Sequence, residues 1–356
     1  MLARSALASL RTAARQAAPA RGYASSATAS TSSSAPYFLG AGLAGSLAFY
    51  LSTRDQRLRL EESKAPASAG AGNAQGMKKD DAGAVKVEGD AALSPKEFRD
   101  FELTEVIPYN HNTSRFIFSL PDGTSSGLTV ASALVTKAAK EGECLNDKGK
   151  PVIRPYTPVT APDVEGKLEL LVKHYNGGAF TEYLFKLKPG DKIAMKGPIP
   201  KHPWKPNQYE SVAMIAGGSG ITPMWQVMQA IDANPEDKTK VTLLFSNVTE
   251  ADILLRKEFE DLAARKPEQF SVQFVLDKPP KGWAGPTGYV DGDLVTSALK
   301  KFGTTPDQKD KIKVFVCGPP GQVKALAGAK KSPSDQGELT GCLAELGYTK
   351  EQVYKF

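Results

Sequence analysis

The sequence predicts two domains, a small antiparallel β-barrel followed by an α/β domain built on a parallel sheet, carried behind a long N-terminal leader. Three observations predict this. Between about residues 98 and 204, short alternating strands are parted by turns, the pattern of a small barrel. From about residue 208 strand-like apolar runs alternate with helical patterns, as they do in a parallel sheet. The 356 residues exceed one ordinary domain, and at about 150 residues per domain they leave room for two domains and a leader.

The leader has its own composition. Residues 1–54 hold Arg4, Arg11, Arg15, Arg21 and Arg54 with many Ala and Ser, and Asp55 is the first negative charge. An Arg-rich, Ser-rich, acid-free start is that of an organelle transit peptide, and "RGYAS" at 21–25 resembles a mitochondrial processing site. Residues 1–35 are therefore expected to be a mitochondrial targeting segment. The run "YFLGAGLAGSLAFYL", 37–51, carries no charge and is closed by Arg54, Arg57 and Arg59. As a helix it reaches about 22 Å, short of the hydrocarbon core of about 30 Å. Bilayer thinning and snorkelling arginines close that gap, and aromatic residues at both ends suit interfacial anchoring. Residues 36–52 are expected to be a transmembrane anchor. Residues 53–92, rich in Ala, Gly, Lys and Asp without apolar periodicity, are expected to be a flexible linker.

Composition removes several function classes. Cys144, Cys317 and Cys342 are too few and too scattered for a disulfide framework or a zinc site. The three histidines, His111, His174 and His202, offer no metal-ligand spacing, so no metal is expected. A formal charge of +6 that includes the leader does not favour nucleic-acid binding.

In the barrel, 93–206, the expected strands lie in "SRFIFSL", "GLTVASALVTKA", "PVIRPYTPV", "KLELLVKHY" and "DKIAMKGPI". In the second domain, 207–356, "SVAMIAG" reads as a strand and "ITPMWQVMQAI" as a helix. There "KVTLLFSN", "FSVQFVLD" and "KIKVFVCG" supply further strands, and "EADILLRKEFEDLAA" follows the first of these. Between the first strand and helix stand Gly217, Gly218 and Gly220. Ligands of open α/β sheets bind beyond the carboxyl ends of strands. Missing Cβ atoms allow a pyrophosphate or a nicotinamide to approach closely, and the helix start adds a positive field. Tight packing is the competing explanation of such glycines. The turn lacks the Gly-Lys-Ser/Thr end of a P-loop, and Pro223 takes the place of the third Rossmann glycine.

Four motifs in order carry more than any one of them. "RPYTPVT" (154–160), "GGAFTEYL" (177–184), "GGSGITPM" (217–224) and "CGPP" (317–320) together resemble the ferredoxin-reductase-like flavoproteins. Over roughly residues 93–356 the resemblance is to the NADH-cytochrome b5 reductase family. "ASALVTK", "KGPIPKHPW" and the tail "KKSPSDQGELTGCLAELGY" with "VYKF" are most similar to its fungal mitochondrial form.

The resemblance implies an antiparallel Greek-key barrel that binds FAD and an α/β parallel-sheet domain that binds NADH. It places Arg154 on the FAD diphosphate, where a planar fork of fixed charge fits, Tyr156 against the flavin, and the Thr157 hydroxyl near flavin N5. Pro155 and Pro158 hold that strand extended, and Val159 completes the segment. It makes Gly177, Gly178, Phe180 and Thr181 the second FAD contact, with backbone amides at a short helix start on the pyrophosphate. Gly217, Gly218, Ser219, Gly220, Thr222 and Pro223 are assigned to the nucleotide turn. Cys317 is placed beside the nicotinamide, next to Gly318 and Pro319, and the C-terminal Phe356 joins the cofactor set. Lys173 and Tyr175, on one strand, are placed near bound NADH, with His174 turned to the other face. The family's third proline is Gly321 here, and Gln322 stands where an apolar residue is expected.

Asp252 matches an acid that favours NADH, because a carboxylate accepts from ribose hydroxyls and repels a 2′-phosphate. Locally, Thr249 and Asp252 also have capping-box spacing, and both roles stay open. The expected catalytic residues are Thr157, Cys317 and Lys173. Lys186, Lys188, Lys192, Lys196, Lys201 and Lys205 make one stretch basic, suited to the acidic haem edge of cytochrome b5. The activity implied is hydride transfer from NADH to FAD and then single-electron transfer to cytochrome b5, in support of sterol and lipid desaturation. The implied location is the mitochondrial outer membrane, single-pass, with a processed intermembrane-space form. Two alternatives stand beside this: a sister NAD(P)H flavin reductase with another one-electron acceptor, and a non-catalytic nucleotide-binding membrane adaptor.

Overall fold

A computed structural model describes residues 91–356. The targeting segment, the anchor and the linker up to residue 90 lie outside the described residues. Among the described residues no helix is long and apolar enough to cross a membrane.

The barrel starts earlier than expected. The Ala92 and Leu93 amides donate to the carbonyls of Ser125 and Ser126 at 2.9 and 3.3 Å, and both side chains are buried. Ala92, expected in the linker, is therefore already tied to the barrel. Six strands follow: β1 (Arg99–Pro108), β2 (Thr113–Ser119), β3 (Ser132–Ala138), β4 (Arg154–Tyr156), β5 (Lys167–Lys173) and β6 (Lys192–Pro200). Their order is β4-β3-β6-β1-β2-β5, with every pair antiparallel. The ring closes where the Val159 amide, just past β4, donates to Glu169 O of β5 at 3.0 Å. Period-two alternation turns Phe116 and Phe118 of β2 and Leu168 and Leu170 of β5 inward, all at 0% exposure. The strand expected across 127–138 begins only at Ser132, because Ala131 sits at φ 57 and breaks it.

The second sheet is wholly parallel, in the order β11-β10-β7-β8-β9. It comprises β7 (Ser211–Gly217), β8 (Lys240–Asn247), β9 (Phe270–Leu276), β10 (Ile312–Cys317) and β11 (Val353–Lys355). Every residue of β7 is buried, as expected of a central strand covered on both faces. Helices cover the sheet: α2 (Ile221–Ala233), α3 (Arg256–Arg265), α4 (Gly292–Leu299), α5 (Pro320–Ala327) and α6 (Cys342–Glu345), while α1 (Ala179–Leu184) belongs to the barrel. Ile221, Met224, Met228 and Ile231 of α2 are fully buried, and Trp225 packs on the same core.

The segment after β8 is divided. "EADILLRKEFEDLAA" gives a single 3-10 turn, Glu250–Asp252, then Leu255 at φ 53, and only then α3. The Thr249–Asp252 capping box exists, but it closes that turn and not the helix.

Register aligns the carboxyl ends of the central strands. Gly217 pairs with Ser246 of β8, and Cys317 of β10 pairs with Ala216. Three strand ends thus meet at one place, beyond which ligands of such sheets bind.

Candidate active site

On the barrel side, β4 is a short strand paired only to β3, with Arg154 opposite Thr136 and Tyr156 opposite Leu134. Arg154 is exposed, and its guanidinium donates to the Ile153 carbonyl at 2.9 Å. No carboxylate lies within ion-pair distance of it among the described residues. Tyr156 packs on Phe180 with ring centroids 6.0 Å apart. Burial pushes its phenol well above the usual range, against the opposing pull of the Arg154 charge. The Thr157 side chain follows, half-buried.

The next turn is held by Thr181. Its hydroxyl lies 3.0 Å from Gly178 O and 3.2 Å from Tyr175 O, and the Tyr175 amide donates to it at 3.3 Å. Gly177 adopts φ 74, and a Cβ on Gly178 would meet Thr181 Oγ1 at 2.7 Å and Tyr175 O at 2.9 Å. The two glycines therefore shape the turn. Their own amides are engaged, Gly178 with Tyr175 O at 2.8 Å and Gly177 with Glu182 Oε1 at 3.4 Å. Any free amides for a phosphate must come from the start of α1, which no side chain caps.

On the sheet side the three glycines divide their work. A Cβ on Gly217 would lie 1.9 Å from Gln322 Oε1, and one on Gly220 would lie 2.4 Å from the Cys317 carbonyl oxygen. Both are bare so that two strand-end turns can touch. Gly218, at φ +50, faces open space and is the glycine left for a ligand. Thr222 Oγ1 lies 3.4 Å from Ser219 O, and buried Pro223 sits in the first turn of α2, where a missing N–H costs nothing. Cys317 is half-buried at the end of β10, and burial pushes its thiol up to about 12, so it stays protonated at neutral pH. The adjoining Gly318 is tight against Gln322 Oε1, which a Cβ would meet at 2.7 Å, and exposed Pro319 precedes α5. The Phe356 amide donates to Val316 O at 2.9 Å, which sets its ring 5.4 Å from Phe315.

Residues of β5 and the segment after it join the two sides. The Tyr175 hydroxyl meets Ser219 Oγ at 3.0 Å, and Lys173 Nζ meets Asp252 Oδ1 at 3.0 Å. His174, between them, points away to Glu182 at 3.4 Å and to the Phe185 ring at 4.9 Å. A continuous path follows: Tyr156 to Phe180, Thr181 to Tyr175, Tyr175 to Ser219, and Gly220 onto Cys317. The motifs that sequence reading set in order are thereby brought to one cleft.

Asp252 is engaged by partners within the protein. It is 7% exposed, and its oxygens are taken by Lys173, by Asn112 Nδ2 at 3.3 Å, and by the Thr249 amide and hydroxyl at 3.1 and 2.7 Å. The capping role is present, and the carboxylate also links the barrel to the sheet domain. Burial by itself would raise its carboxyl, but hydrogen bonds from Thr249 and Lys173 and the lysine's charge hold it at about 2. Sequence reading missed the partners from the β1–β2 turn and from β2. Asn110 donates to Ala251 O at 2.9 Å, the Leu255 amide to Tyr109 OH at 2.8 Å, and Arg115 reaches Glu258 at 3.1 Å. These contacts span more than 140 positions, and no local signal marks them.

A glycine turn and a guanidinium without an ion-pair partner among the described residues thus lie on a barrel facing the carboxyl ends of a parallel sheet, and the family matches make this two-domain arrangement an oxidoreductase of FAD and NAD. The oxidoreductase FAD-binding domain family matches residues 100–204, and the oxidoreductase NAD-binding domain family matches 214–327. NADH-cytochrome b5 reductase 2 of Mycosarcoma maydis is 54% identical over 270 residues, 76% of this chain and 75% of that one. The protein of the same name from Phaeosphaeria nodorum is 44% identical over 342 residues, 94% of this chain and 95% of that one. Among solved structures, the cytochrome b5 reductase domain of Ulva prolifera nitrate reductase is 32% identical, covers 75% of this chain and all of that chain, and superposes with a TM-score of 0.64. The chain belongs to the NADH-cytochrome b5 reductase family.

Proposed function

We propose that the protein is an NADH-cytochrome b5 reductase anchored by residues 36–52 in the mitochondrial outer membrane, with a processed form in the intermembrane space. The observation that carries the catalytic reading is the Tyr175–Ser219 hydrogen bond of 3.0 Å, which fastens the turn of one cofactor domain to that of the other. The relatives' shared name supports cytochrome b5 as acceptor, and the leader's composition supports the location.

The residues present fit both cofactors: Arg154 has no ion-pair partner among the described residues, and the open side of Gly218 admits close approach of a ligand. Bound NADH and FAD supply a hydride transfer followed by two single-electron deliveries, chemistry that no side chain here can perform. Arg154 would hold the diphosphate of bound FAD by charge and geometry. Tyr156, kept neutral by burial, would supply an apolar wall for the flavin, and Thr157 a hydroxyl donor. The neutral Cys317 thiol would line the nicotinamide side without contributing a charge. Lys173, ion-paired with Asp252 at 3.0 Å, acts here by holding β5 across the cleft.

Of the basic stretch, Lys186, Lys188, Lys192 and Lys205 are exposed and available to an acidic haem protein. Lys196 donates to the Lys96 carbonyl at 3.2 Å, and it and Lys201 are half-buried.

The test is to purify the full chain in detergent, supply cytochrome b5, and follow haem reduction with NADH and with NADPH, alongside protease protection of intact mitochondria. Haem reduction by NADH and a protease-accessible catalytic domain are expected. A yellow protein that NADH bleaches but that leaves cytochrome b5 oxidised would transfer the assignment to another acceptor.

A further inference from the structure

We infer that Gln322 is a positioning residue for the dinucleotide, acting as a strut that fixes the distance between the Cys317 turn and the glycine turn. The inference rests on the reductase reading above. Gln322 lies in α5, on the turn after Cys317, where the family resemblance leads one to expect an apolar side chain.

Its carboxamide is wedged among three strand ends. Nε2 donates to Ser246 Oγ of β8 at 2.9 Å, and Ser246 Oγ donates onward to Ala216 O of β7 at 3.2 Å. Oε1 lies so near Gly217 and Gly318 that a Cβ on either would meet it at 1.9 or 2.7 Å. One side chain thus ties β8 to the helix following β10 and fills the space that two glycines leave. An apolar residue of equal length would fill the volume but leave Ser246 without its donor.

The consequence lies in binding geometry. The Cys317 turn and the Gly217–Gly220 turn are in backbone contact, and together they form the rim of strand ends on which a dinucleotide would lie. A bridge across their base fixes their relative position before ligand arrives, so less ordering remains to be done on binding. Loss of one such hydrogen bond is expected to weaken binding about three- to tenfold.

The experiment titrates the flavin-loaded full chain with NAD+, read from the perturbation of the flavin absorbance, for wild type, Gln322→Met, Ser246→Ala and the double variant, with melting temperatures in parallel. Expected are similar weakening of NAD+ in each single variant, little further loss in the double, and partial recovery in Gln322→Asn with Ser246 intact. Melting temperatures that fall while NAD+ affinity stays unchanged would overturn the inference and assign Gln322 to folding alone. Additive losses in the double variant would overturn the bridge. A wild-type chain whose flavin ignores NAD+ would bring down the reductase reading as well, which separates that failure from this one.

Discussion

Lys173 and Asp252, 79 residues apart in the sequence, meet at 3.0 Å between the barrel and the parallel-sheet domain. The carboxylate is buried and takes its remaining bonds from Thr249 and Asn112. Replacing it by Asn leaves a largely buried ammonium without a counter-charge, at a cost of roughly 3 kcal/mol. Asp252→Asn is expected to lower the melting temperature while leaving the ratio of kcat/KM for NADH and NADPH unchanged, since no oxygen of Asp252 is free for a ribose. A shifted coenzyme ratio would restore the nucleotide role.

The same pair sets an acid limit. Asp252 has a folded pKa of about 2 against an ordinary 3.8, so the unfolded chain binds the proton more readily. Its contribution is complete above about pH 4 and is lost as pH falls from 4 towards 2. Acid denaturation followed by circular dichroism should show a shallower dependence in that window for Asp252→Asn than for wild type.

His202 sets a second, higher window. Burial, with a smaller push from the Lys313 charge, lowers its pKa to about 4. Its Nε2 lies 3.1 Å from Tyr209 OH, and its ring lies 5.1 Å from both Phe315 and Tyr354. The fold favours the neutral ring, so stability is complete above the unfolded value of about 6.5 and declines as pH falls towards 4. Melting temperatures measured at pH 7, 6, 5 and 4.5 should fall less steeply in His202→Gln than in wild type.

The glycine turn predicts unequal costs. Gly220→Ala puts a methyl 2.4 Å from the Cys317 carbonyl oxygen, which is rigid backbone, whereas Gly218→Ala meets nothing and bears only its φ of +50. Gly218→Ala should cost about 1 kcal/mol, and Gly220→Ala clearly more, since relief requires one strand-end turn to move. Thermal melts of the two variants check the order.

Much of this architecture was legible in the sequence, for physical reasons. "SVAMIAG" is strand over its whole length because a central parallel strand is apolar on both faces, and "ITPMWQVMQAI" shows its buried stripe at helical spacing. What escaped was non-local or conformational. The left-handed Leu255 that divides "ADILLRKEF" has no glycine to announce it, and β11 has three residues and exists only by pairing with β10. The glycine turn was visible as a turn, but the share of it devoted to packing against Gln322 and Cys317 required the approach of two distant segments.

Acceptor recognition should depend on salt. Screening weakens steering between exposed charges, and Lys186, Lys188, Lys192 and Lys205 are exposed. Raising ionic strength should slow cytochrome b5 reduction and leave NADH-ferricyanide activity nearly constant. Equal slowing of both would remove the basic stretch from the account.

The most direct measurement is anaerobic stopped-flow mixing of the purified chain with NADH and with NADH deuterated at C4 in its transferable position, followed at the flavin absorbance. The account predicts rapid bleaching that deuteration slows, because the barrel and the sheet would hold the bound donor and acceptor in the one cleft that Tyr175–Ser219 and Lys173–Asp252 bridge. A colourless protein, or bleaching indifferent to deuterium in a single turnover limited by chemistry, would contradict it.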